Sequence, residues 1–155
     1  MQKFFQKGIT VIEMLIVVSV IGILVLITLP RFSKIKENQV LKNTLGDVTS
    51  VLHRAQTQSL ASVDSSEYGV RFQSDQVIIF KGKIFSAEAP DNKITNISSP
   101  SSISNVTLGG ISSSTGELYF ERLSGIPSKI GTITISTPSA SKIITISATG
   151  AVSLN

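Results

Sequence analysis

One ionisable residue stands inside the most apolar stretch of the chain. Glu13 lies five residues into Ile9–Leu29, ITVIEMLIVVSVIGILVLITL, where almost every other side chain is apolar. A carboxylate within a lipid-spanning helix costs roughly 2.5–3.5 kcal/mol on insertion scales, so it calls for a cationic partner. No Lys or Arg stands one helical turn away within the run. The partner is therefore expected from a newly made N-terminal amine or from another molecule. An acid merely tolerated near an interface is the plainer competing reading.

Other reactive groups are sparse. The chain has no Cys, which removes disulfides and thiolate metal sites. His53 is its single His, too little for a zinc site or a His-activated nucleophile. Phosphate-cradling glycine loops, H-E-x-x-H and G-x-S-x-G are all missing. Asp64, Glu67, Asp75, Glu88 and Asp91 lack the spacing of a calcium loop. Asn96-Ile97-Ser98 and Asn105-Val106-Thr107 fit the N-glycosylation pattern, but such tripeptides arise easily in a Ser/Thr-rich chain. Neither catalysis, nor a cofactor, nor a metal is expected.

The net charge of +4 is unevenly placed. Lys3 and Lys7 precede the apolar run, and Arg31, Lys34, Lys36, Lys42 and Arg54 outnumber Glu37 and Asp47 after it. From Asp64 onward cations and anions balance. This is no phosphate-neutralising stripe; cations beside an apolar anchor usually meet lipid headgroups. Nucleic acid stays the lesser alternative partner.

Ile9–Leu29 holds about 21 residues, a helix of about 31 Å, enough for a bilayer core. It is longer than the apolar part of a secretory signal and lacks a small-residue cleavage site after it. The expectation is a retained single-pass span in the cytoplasmic (inner) membrane, with its N-terminus in the cytoplasm.

Beyond Pro30, residues Leu41, Leu45, Val48, Leu52, Ala55 and Ser59 recur at spacings of three and four, the stripe of an amphipathic helix. The helix is expected from Ile9 to about Ser62. After Val63 the pattern shifts to short β-branched or alternating runs: Tyr68–Phe72, Gln76–Phe80, Ile103–Leu108, Glu117–Arg122, Gly131–Ser136, Lys142–Ser147 and Ala151–Leu154. Ser86–Ser102, with Pro90 and Pro100, reads as a long, poorly ordered loop. The fold class expected is α+β: a long N-terminal helix, half membrane-spanning and half amphipathic, packed on a C-terminal antiparallel sheet.

Lys7 followed by Gly8-Ile9-Thr10-Val11-Ile12-Glu13-Met14-Leu15 and a long apolar run resembles the prepilin signature of type IV pilins and pseudopilins. That resemblance implies cleavage between Gly8 and Ile9 by a prepilin peptidase, which also methylates the new amine of Ile9. Glu13 then matches the family's fifth-residue Glu, thought to pair with the N-terminus of a neighbouring subunit during assembly. Gly22 and Pro30 fall where many pilins carry Gly and Pro, and both soften a helix. Ile9 departs from the commoner Phe or Met. The Leu41–Leu60 stripe, Tyr68–Phe72 and the later strand order are more loosely similar to H-type minor pseudopilins and FimT-like relatives. The implied organisation is a leader at 1–8, a membrane and filament-core helix at 9–29, an amphipathic spine at 30–63 and a pilin-like sheet domain at 64–155. The implied function is a minor filament subunit, first held in the membrane and then in an extracytoplasmic or cell-surface filament. Its partners would be the peptidase, other pilin or pseudopilin subunits and the inner-membrane assembly platform. The alternative is a DNA- or surface-binding pilin of a competence or adhesion filament.

Overall fold

The computed structural model describes residues 8–155, the side chains of 27–32 excepted. Lys3, Lys7 and the rest of the expected leader before Gly8 lie outside the described residues. The chain divides into two compact units, Met1–Lys36 and Glu37–Asn155. Helix α1 runs from Val11 to Leu60.

In the second unit, the three- and four-residue spacing of Leu41, Leu45, Val48, Leu52 and Ala55 puts all five on one stripe of α1, and all five are buried. The stripe ends at Ser59, buried and polar. Its hydroxyl accepts the Tyr68 N–H at 2.9 Å, and its carbonyl accepts the Leu123 N–H at 3.0 Å. One residue thus ties the end of the helix to the first strand and to a later turn.

Nine strands follow: β1 (Tyr68–Phe72), β2 (Gln76–Lys81), β3 (Lys93–Asn96), β4 (Ser102–Leu108), β5 (Ile111–Ser113), β6 (Gly116–Phe120), β7 (Gly131–Ser136), β8 (Ser141–Ile146) and β9 (Val152–Leu154). They form two antiparallel sheets, one ordered β3-β2-β1-β6 and the other β5-β4-β7-β8-β9. Alternation aims Val70, Phe72, Val77, Ile79, Leu118 and Phe120 of the first sheet into the same apolar cluster as the helix stripe. Ile133, Ile135, Ile144 and Ile146 do the same for the second. In β4 a bulge between Ile103 and Asn105 shifts the phase, so that Ile103, Val106 and Leu108 are the inward residues. Gly109 and Gly110, at φ 60° and 82°, make the two-residue turn that returns β4 into β5. Both positions need left-handed backbone, which glycine adopts without strain.

The run Val77–Phe80 is buried on both faces of its sheet. Ile78 and Phe80 point away from the main cluster, and Phe80 meets Phe85 edge-on at 5.6 Å between ring centres. The Phe80 ring also lies over Gly69, its partner across the ladder; a Cβ there would come within 2.2 Å of the ring.

The expected fold, a half-spanning, half-amphipathic helix packed on a single antiparallel sheet in the pilin manner, is corrected by two findings. The strands divide into two sheets of four and five. Among the described residues, no helix is long and apolar enough to cross a membrane. The expected transmembrane segment and the single-pass placement in the inner membrane, N-terminus in the cytoplasm, therefore lose their structural basis. The loop expected at Ser86–Ser102 is corrected too, because it contains β3, paired with β2 from Gln76↔Asn96 to Ile79↔Lys93.

Candidate assembly site

The site begins just ahead of α1. Residues Gly8 to Thr10 precede α1 without regular structure and are exposed. Thr10 closes the helix: its side-chain oxygen accepts the Glu13 N–H at 3.3 Å, and its carbonyl accepts the Met14 N–H at 3.2 Å. This is the N-cap arrangement, with Glu13 three residues on, where a carboxylate also meets the positive end of the helix dipole. The pattern Thr-x-x-Glu before an apolar run was the available sign of it. Sequence reasoning that read Glu13 only as a stranded charge passes over Thr10.

Two consequences follow for the expected processing site. The Gly8–Ile9 peptide bond lies outside the helix, where an extended chain can be presented to a protease. Cleavage there also leaves the Thr10 cap intact. A Cβ built on Gly8 or on Gly22 meets nothing within 4 Å, so packing among the described residues demands glycine at neither position. Gly22 and Pro30 both lie inside α1; the softening expected at Pro30 falls among side chains outside the described residues.

From Val11 to Leu26 the helix shows apolar side chains on every face. Val11, Ile12, Leu15, Val18, Ile23 and Leu26 are all more than half exposed, from 56% at Ile23 to 79% at Val11. Glu13 is exposed among them. A helix that is hydrophobic all round is ordinarily a buried one. Burying one such aliphatic side chain is worth about 1.5–3 kcal/mol, so a surface of this kind favours association strongly.

The second unit holds its charges differently. Arg71 pairs with Glu117 at 2.8 Å, Lys81 with Asp64 at 3.2 Å and Lys83 with Glu67 at 3.6 Å. Arg122 donates to the Ser65 carbonyl. Each of these four cations is held by a group of its own unit. Asp64 also accepts from the Tyr68 hydroxyl at 3.2 Å. Its carboxyl is held below the ordinary value by the hydrogen bonds from Lys81 and then Tyr68. Tyr68 is pushed up, first by burial and then by Asp64. Among the described residues, no group of three His, Cys, Asp or Glu gathers to hold a metal. His53 is exposed on α1. Of the two glycosylation tripeptides, Asn96 is exposed at the end of β3, while Asn105 donates to Thr107.

Comparison with known protein families, with curated proteins and with solved structures finds no match to the chain.

Proposed function

We propose that the chain is a structural subunit, of the minor kind, of a type IV pilus-like or type II secretion pseudopilus filament. A prepilin peptidase cuts it between Gly8 and Ile9, and it joins its neighbours through the apolar part of α1. The observation that carries this reading is the exposed, all-round apolar surface of Val11–Leu26 with one carboxylate, Glu13, in its first turn. Such a surface is covered when several like helices bundle together. Hydrolysis of the Gly8–Ile9 bond supplies the cation that bundle needs: it leaves a carboxylate on Gly8 and an amine on Ile9, largely protonated at neutral pH. Methylation keeps that charge. Inside an apolar bundle an unpaired carboxylate is costly, so pairing Glu13 with a neighbour's Ile9 amine rewards one stagger of subunits over others. The exposed position of Gly8 and Ile9 ahead of the helix supports access for the peptidase.

Mass spectrometry of the chain recovered from cells with an active prepilin peptidase tests this directly. The mature N-terminus is expected to be Ile9 carrying one added methyl group. A chain still beginning at Met1 overturns the proposal.

A further inference from the structure

Two surface features of the second unit lie at opposite ends of its share of α1. At one end, Leu41 and Leu45 of α1 and Ala140 of the β7–β8 turn floor a groove of about 210 Å³, rimmed by Lys42 and Lys142. Both lysines are exposed and neither is in an ion pair among the described residues. The nearby Glu37 carboxylate accepts the Ser139 hydroxyl, which braces the turn against the helix. At the other end, the segment 82–92 leaves β2 beside the C-terminus of α1. The Gly82 N–H there bonds the Glu67 carbonyl, and Pro90, Asp91 and Asn92 share a cavity wall with Gln58. This segment carries Ile84, 81% exposed, with Glu88 and Asp91, both exposed and outside any ion pair among the described residues. Within the segment Lys83 is held by Glu67, and before it Lys81 is held by Asp64; Lys93, exposed just after it, offsets one of the two free carboxylates and leaves one negative charge in excess. From Lys42 to Ser59 along α1 is about 26 Å.

We infer that the Lys42–Lys142 groove receives the 82–92 segment of a second copy of this chain. The groove carries two free lysines over an apolar floor, the segment carries Glu88 and Asp91 beside an exposed isoleucine and keeps a net negative charge after Lys93 is counted, and the groove's volume admits an isoleucine side chain. Because the two surfaces differ and lie at opposite ends of the unit, the contact is head-to-tail. A contact of that kind leaves one surface free on each end copy and extends into a filament wherever its rotation does not close a ring. The inference rests on the filament reading above and adds which surfaces of the second unit meet within it.

The absence of Cys from the chain makes a clean test possible. Full-length Lys42→Cys and Glu88→Cys variants are mixed, assembled and oxidised, beside each variant alone. A disulfide-linked dimer is expected from the mixture, with far less from either variant alone. Lys42→Glu with Lys142→Glu should lower the cross-link obtained with a Glu88→Cys, Ala140→Cys pair by about tenfold, since like charges then face each other. Adding Asp91→Lys should restore part of it. Raising the salt should weaken the wild-type contact, as screening shortens the reach of exposed charges. Electron microscopy of the same samples separates the two proposals. Filaments without the mixed cross-link overturn this contact and leave the helix-driven assembly standing. The cross-link in the absence of filaments keeps the contact and counts against the filament.

Discussion

Glu13 serves two physical roles that different substitutions separate. Its backbone N–H completes the Thr10 cap, and its carboxylate supplies the charge on which the proposed stagger depends. Gln at this third helical position retains a polar side chain able to reach back to the cap and removes only the charge. Glu13→Gln is therefore expected to leave cleavage after Gly8 intact while lowering incorporation into filaments. A charged hydrogen bond is worth about 1.5–3 kcal/mol, so the loss should reach at least about tenfold. Thr10→Ala is the complement: it should cost about 1 kcal/mol of helix stability at the first turn and spare the charge. Quantifying processed chain by mass and filaments by sedimentation distinguishes them; normal incorporation of Glu13→Gln removes the pairing role. Asp64 makes a separate prediction. Its folded carboxyl titrates below its ordinary value because Lys81 and Tyr68 hydrogen-bond it. The unfolded chain thus binds that proton more readily, and the stabilisation is present above the unfolded value. It is lost as pH falls from about 4 through the lower folded value. Thermal melts of Asp64→Asn should show a smaller acid-induced drop in Tm than the parent below about pH 4, and an unchanged acid limb would refute the assignment.

At the scale of elements, the helix stripe and both sheets depend on one shared core. Leu52 is fully buried in the cluster that joins them. Leu52→Ala is expected to cost about 2–5 kcal/mol, read as a shift in the urea midpoint with an unchanged slope. A change below 1 kcal/mol would mean that the helix stripe is not central to the core. Local pattern carries such elements well. Sequence pattern alone marks Tyr68–Phe72 and Gly131–Ser136 at the bounds the strands adopt, because alternate residues of each strand enter the shared core. It cannot say which strand lies beside which, since the two-residue period is the same in either sheet. The division into two sheets was therefore illegible. The strand β3 was missed for a different reason: Lys93 and Asn96 are poor strand formers, and pairing with the buried β2 overrides that preference. Ile111–Ser113 was missed because three residues show no period, although the Gly109-Gly110 turn before it marked a hairpin. Of the candidate site, the apolar run and Glu13 could be read directly, whereas the cap at Thr10 was hidden behind the question of where the charge goes. The membrane span expected at Ile9–Leu29 is not found among the described residues, because crossing a bilayer is a property of a whole segment that no single residue displays.

The whole molecule separates what folds from what associates. Every member of the buried apolar cluster lies between Leu41 and Ile146, inside the unit Glu37–Asn155. Removing residues 1–36 therefore takes away no core side chain found among the described residues. The remaining helical part, residues 37–60, is about 36 Å long, and its stripe starts within the first two turns at Leu41. Helices in proteins owe most of their stability to such packing and little to their length, so the new end should fray only ahead of Leu41. A fragment of residues 37–155 is expected to unfold in one cooperative step. Its midpoint should lie within a few degrees of that measured for the second unit in the full chain, and its circular dichroism should keep the β-rich signal. The same fragment lacks the surface from Val11 to Leu26, where the exposed aliphatic side chains are concentrated. Sedimentation velocity should find it monomeric at micromolar concentration, with only the weak, salt-sensitive head-to-tail contact emerging as concentration rises. If it instead assembles as readily as the processed chain, the apolar helix is not what builds the filament.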